Sequence, residues 1–148
     1  MDCMNREILF KAKRKDNGKW IEGYYQRRYD DFGNIEHLIF YSKSPVVWGY
    51  VEIDETTLCQ YTGEPDKKGN KLWENDEVLI HAENLKGKYV CFWDECNFEY
   101  GFKNEKESFG IAYISSKDVE VIGNVFDDQD LTEAITMDFE LHSLQSCK

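Results

Sequence analysis

Residues 60–78 read QYTGEPDKKGNKLWENDEV, and the way this stretch folds decides how the rest of the chain is divided. Pro65-Asp66 and Lys68-Gly69 are consecutive reverse-turn signals, proline presetting φ at one position and glycine accepting positive φ at another. Together they turn the chain sharply back on itself. Trp73 gives the returning segment an apolar anchor. Glu74-Asn75-Asp76 is then a tight polar step, in which a short side chain bonds its own backbone and launches the strand EVLI. The segment holds no convergent set of His, Cys, Ser or paired carboxylates. It reads as an architectural joint, and not as a catalytic loop.

On both sides of this joint, turn signals recur at the short intervals of an all-β chain. Upstream, REILFKAKR (6–14) and KWIEGYYQR (19–27) flank Asn17-Gly18, a dipeptide suited to a tight hairpin turn. IEHLIFYS (35–42) is a third strand. PVVWGYVEI (45–53), nearly all apolar, is expected to be extended and buried on both faces, and TTLCQYT (56–62) alternates as a separate strand. Downstream come EVLIH (77–81), KYVCFWD (88–94), FEYGF (98–102), FGIAYIS (109–115) and VEVIGNVF (119–126). Five short strands after a polar tight turn resemble a small Src-homology-like barrel. Beyond them, Leu131, Ile135 and Phe139 recur at helical spacing behind a capping-box-like Asp130 and Glu133, predicting a helix over about 130–142. The expected fold is mainly β, one compact unit in four parts. These are an N-terminal antiparallel β-hairpin module (1–62), a connecting turn segment (63–76), a small, partly open five-stranded barrel (77–126), and an acidic tail (127–148) with a short C-terminal helix.

The joint also carries a resemblance. Gln60, Tyr61, Thr62, Gly63, Asp66, Gly69, Leu72, Trp73, Glu74, Asp76 and Val78 stand in the register of the YopX family signature. The opening REILFKAKRKDNGKWIEGYY is similar to that family's first hairpin, and VEVIGNVFDD to its closing strand. The resemblance spans about residues 6–131. Asn75 stands where the family usually has glycine, and Asn is the non-glycine residue best suited to positive φ. The resemblance implies a small, mostly β protein of phages and prophages with no established catalytic activity. It marks Gln60, Tyr61, Gly63, Asp66, Gly69, Trp73 and Asp76 as the structural residues of the signature turn.

Composition narrows the function classes further. The 148 residues are 41% hydrophobic and 15% aromatic, enough apolar material for a packed interior. No apolar run approaches the roughly 20 residues that span a bilayer, and MDCMNREILFKAK lacks a secretory h-region. A cytoplasmic protein with reduced cysteines and no membrane partner is expected. The net charge is −11, from 18 Lys and Arg against 29 Asp and Glu. Residues 1–29 hold eight cations against four acids, whereas Asp118 to Cys147 has no Lys or Arg. Such an acidic chain is ill suited to gripping phosphate backbones, so nucleic acid is an unfavoured partner.

No chemistry-bearing constellation emerges from the motifs. Cys91 and Cys96 are spaced to fall on opposite faces of a strand and lack a second zinc knuckle. The histidines His37, His81 and His142 have no sequence support for a Cys–His nucleophile, and the abundant acids read as solvated surface. No cofactor, metal or catalytic residue is expected. The aromatics are the better clue, 22 rings being more than a small core hides. Tyr24, Tyr25, Tyr29 and Phe32 crowd one hairpin end beside Arg27 and Arg28, and Tyr and Arg are enriched at protein–protein hot spots. These six residues are the candidate interaction patch of a self-associating, non-enzymatic module that meets another copy, or a host or phage protein. The acid-only tail suggests an alternative, a DNA-mimicking decoy of a host nucleic-acid enzyme. A weaker alternative is single-strand binding through the basic hairpin.

Overall fold

A computed structural model describes residues 6–127. The chain is mainly β, with ten strands and two short 3₁₀ turns among the described residues. The strands are β1 (Phe10–Arg14), β2 (Trp20–Tyr29), β3 (Ile35–Ser44), β4 (Val47–Pro65), β5 (Lys71–Trp73), β6 (Asp76–His81), β7 (Lys86–Asp94), β8 (Glu99–Lys103), β9 (Ser108–Gly110) and β10 (Val119–Asn124). The 3₁₀ turns are Ile111–Tyr113 and Ser116–Asp118. None of the described helices is long and apolar enough to cross a membrane. The helix expected over 130–142 lies outside the described residues.

Two compact units divide between Tyr61 and Thr62, within β4. In the first, β1–β4 pair antiparallel in order, and β1 also pairs β4, closing a four-stranded barrel. Ala12, Ile39 and Ile53 are fully buried inside it, with Phe10, Ile21, Tyr25, Val51 and Leu58 packed around them. The tight turn at Asn17-Gly18 is as expected, Gly18 having φ +71°. The expected break between strands 45–53 and 56–62 is absent, and one long strand runs through. A bulge absorbs the polar residues instead: Lys11 pairs Cys59, but Lys13 pairs Asp54. There Thr57 Oγ1 accepts from the Lys13 amide at 2.8 Å and donates to the Asp54 carbonyl at 2.7 Å.

Closure of this barrel depends on Gly23, where β2 exchanges its neighbour β1 for β3. A Cβ at this position would lie 2.1 Å from the Phe40 carbonyl oxygen. Backbone cannot yield as a side chain does, so Gly23→Ala is expected to cost about 2–3 kcal/mol, as overpacking of a tight interior does. A loss below about 1 kcal/mol in urea denaturation would show that β2 and β3 separate easily here.

The second unit contains a five-stranded antiparallel sheet in the order β10-β6-β7-β8-β9. Val78 and Ile80 alternate inward along β6 and meet Leu72, Tyr89, Cys91, Phe102 and Val119 in a buried core. The expected strand 109–115 is only partly formed. It ends at Gly110 and tightens into a 3₁₀ turn that lets both Ile111 and Ile114 reach the core.

The joint closes this sheet along β10. The Asp66 carboxylate accepts from the amides of Lys68 (2.9 Å) and Asn70 (2.8 Å) within its turn, and from the Val121 amide of β10 (3.1 Å). The Lys67 amide donates to the Val119 carbonyl at 2.8 Å. Lys67 and Lys68 both pair with Glu120, at 3.1 and 3.0 Å. Gly63, Gly69 and Asn75 take φ of +91°, +84° and +69°, so Asn75 supports the turn for which glycine is usual. Trp73 is buried, Gln60 pairs Phe10, and the Tyr61 amide donates to Leu9.

Burial pushes the Asp66 carboxyl up, but the amides of Val121, Asn70 and Lys68 outweigh it and hold the group below its ordinary value. A depressed carboxylate stabilises the fold at pH above its unfolded pKa, and that contribution is lost as pH falls through the folded value. The Tm of the wild type is therefore expected to fall below about pH 4, more steeply than that of Asp66→Asn. Parallel curves for the two proteins would dismiss Asp66 as a source of acid sensitivity.

Candidate interaction surface

The outward face of the first unit follows from strand alternation. Along β2, Ile21 and Tyr25 pack on the barrel core, so Trp20, Glu22, Tyr24, Gln26 and Arg28 point outward. Register carries this face across the sheet: Tyr24 lies opposite Phe40, which lies opposite Tyr50, while Trp48 lies opposite Ser42. Tyr24, Trp48 and Tyr50 are 52%, 57% and 57% exposed, and Phe40 is half-buried between them. The Tyr24 and Trp48 rings stand 5.9 Å apart, and Phe40 and Tyr50 5.3 Å. Such tilted ring pairs hold one another in place across strands.

Cations border these rings. The Arg28 guanidinium lies 4.9 Å from the Tyr50 ring centroid and donates to Glu36 at 2.9 Å. At the other end of β2, the Lys11 and Lys13 ammonium groups lie 4.7 and 5.4 Å from the Trp20 ring. Carboxylates balance them on the same face. Glu22 is opposite Lys11, Glu36 is opposite Arg28, and Glu52 pairs with Lys15 at 3.0 Å.

The six residues of the sequence-derived patch do not form one surface. Tyr24 and Arg28 lie on the outward face. Tyr25 turns in to the barrel core and hydrogen-bonds His37 Nδ1. Arg27 and Tyr29 sit on the opposite pleat, with Arg27 5.8 Å from the Tyr29 ring and Tyr29 opposite exposed Ile35. Phe32 is exposed at the hairpin tip. Its turn is held by Asp30, which accepts from the Phe32 and Asn34 amides at 2.8 Å. Hydrogen bonding led by the Asn34 amide keeps the Asp30 carboxyl below its ordinary value.

Phe40, Trp48 and Tyr50 were absent from that patch. Residues 45–53 are not buried on both sides, because Trp48 and Tyr50 are exposed in alternation with Gly49 and Val51. That alternation was the available signal. Cys59 and Cys91 are buried free thiols. Among the described residues, no three His, Cys, Asp or Glu side chains gather as a metal site would require.

No curated protein matches the chain. A family model described as YopX protein matches residues 9–133.

Proposed function

The chain belongs to the YopX protein family, and from that premise we propose that it is a non-enzymatic interaction module that self-associates through the outward face of its first unit. The observation that carries this reading is the row Tyr24–Phe40–Tyr50 with Trp48 beside it, a group of large rings held on rigid strands and turned to solvent. Exposed aromatic clusters of this kind mark protein contact sites, and Arg28 adds a second residue type favoured at hot spots.

Charge favours a second copy as the occupant. Residues 1–61 carry nine Lys and Arg against ten acids, a net of −1, whereas residues 62–148 carry nine against nineteen, a net of −10. Two first units can approach with little repulsion, while contact between the acidic second units is disfavoured. The near balance of Lys11, Lys13, Lys15 and Arg28 against Glu22, Glu36 and Glu52 also favours a protein surface over a phosphate backbone.

Gel filtration with light scattering over a wide concentration range tests the proposal. The mass is expected to rise from the 17.5 kDa monomer toward a dimer. A strict monomer at the highest concentration would overturn self-association. Competition with duplex DNA for a nuclease or polymerase would favour the acidic-decoy alternative, to which the charge of residues 62–148 lends its support.

A further inference from the structure

Within the first unit, β4 changes partner at Ile53. From that residue onward it pairs β1, whereas from Val47 to Glu52 it pairs β3 alone. The Lys15 amide donates to the Glu52 carbonyl at 3.1 Å, so the peptide groups of Glu52 point away from β3. In an antiparallel pair, successive residues aim their amides and carbonyls to alternate sides. Those of Tyr50 and Trp48 therefore point the same way as those of Glu52, into an edge that no strand covers among the described residues. The same two residues present their rings on the outward face, each more than half exposed.

Resting on the self-association described above, we propose that two copies join edge to edge, β4 running antiparallel to the partner's β4 about a two-fold axis at Gly49. Trp48 then exchanges backbone hydrogen bonds with the partner's Tyr50, and Tyr50 with the partner's Trp48, the reciprocity that an isologous contact demands. The rings of these residues meet across the axis on the outward face, an aromatic cross-strand pairing of the kind that stabilises sheets. At the axis the two strands approach most closely, with Cα atoms about 4.5 Å apart, and Gly49 brings no side chain there.

Neighbouring registers are less favourable. A shift one way sets Trp48 against the partner's Glu52, whose carbonyl is already bonded by Lys15, and a shift the other way needs Val46, which precedes the strand. Open edges are ordinarily guarded by charge or proline. Residues 47–51 carry neither, whereas β2, bare on one side from Tyr24 to Tyr29, holds Arg27 and Arg28 there. Charge also suits a second copy as the occupant, because first units of net charge −1 approach with little repulsion.

Residue-resolved amide hydrogen exchange of the intact chain, at concentrations on either side of the rise in mass, tests the edge pairing without a variant. In the monomer the Trp48 and Tyr50 amides are expected to exchange quickly, while those of Gly49 and Val51, which face β3, are slow. Where about nine-tenths of the chain is dimeric, Trp48 and Tyr50 are expected to slow about tenfold, since exchange then draws on the remaining monomer. A mixture of isotope-labelled and unlabelled chains is expected to show contact between the Gly49 α-protons of the two copies. A rise in mass with both amides still fast would overturn the edge pairing and leave self-association standing. Slow amides without the Gly49 contact would overturn the axis at Gly49. No rise in mass would remove the edge pairing and self-association together.

Discussion

Asp76→Ala is expected to destabilise the second unit by about 3–4 kcal/mol, since each buried donor left unsatisfied costs about 1–3 kcal/mol. Asp76 is 2% exposed and begins β6. One carboxylate oxygen accepts from the Trp73 amide at 2.9 Å, and the other from the Asn124 side-chain amide at 3.1 Å. It therefore links the end of the joint to the last residue of β10. Around it, the Asn75 amide donates to Cys91, and the Val125 amide donates to Asn75. Alanine would leave both donors without this acceptor in a buried site. Urea denaturation followed by far-ultraviolet circular dichroism measures the loss. Asp76→Asn, which keeps one acceptor oxygen, should fall between wild type and alanine. A loss below about 1 kcal/mol for alanine, the range of ordinary surface changes, would reduce this network to a minor part of the fold.

On the first unit, Tyr50→Glu or Trp48→Glu is expected to weaken self-association on the order of 30-fold or more, the equivalent of about 2 kcal/mol at a central hot spot. Each substitution replaces an exposed ring with a charge that must be desolvated on contact. At Tyr50 it also adds an acid two residues from Glu52 along β4. Both positions are more than half exposed, so near-ultraviolet dichroism should report an intact barrel. Tyr29→Ser is the informative control. Tyr29 is 65% exposed but lies on the opposite pleat. Sedimentation equilibrium should find it unchanged. Equal losses for Tyr29→Ser and Tyr50→Glu would move the interface off the outward face.

Local signals explain what was legible in the sequence. Gly18 and Gly69 each take positive φ, and that need is written in the residue itself. Strict alternation in 76–81 likewise gave β6 its inward Val78 and Ile80. What was lost depended on pairing between distant residues. The polar run after Ile53 looks like a strand break, yet Lys13 draws Thr57 into the bulge from 44 positions away. FGIAYIS is apolar enough to mimic a strand, but Ile111 and Ile114, three residues apart, would face opposite sides of one, and reaching one core required a 3₁₀ turn. The aromatic face failed for a similar reason. Closeness in sequence joined Tyr24 to Tyr25 and Tyr29, whereas the pleat separates them and strand register brings in Phe40 and Tyr50.

The bonds that Asp66 and Lys67 make to Val121 and Val119 have a further consequence. An outermost strand ordinarily offers a ladder of bare amides and carbonyls on which a foreign chain can template, the first step toward fibrils. Here a reverse turn from the same polypeptide already occupies two rungs of that ladder, and Lys67 and Lys68 add charge beside it. Copies that meet are thereby steered toward side-chain contact of defined geometry, and away from open-ended polymerisation along β10.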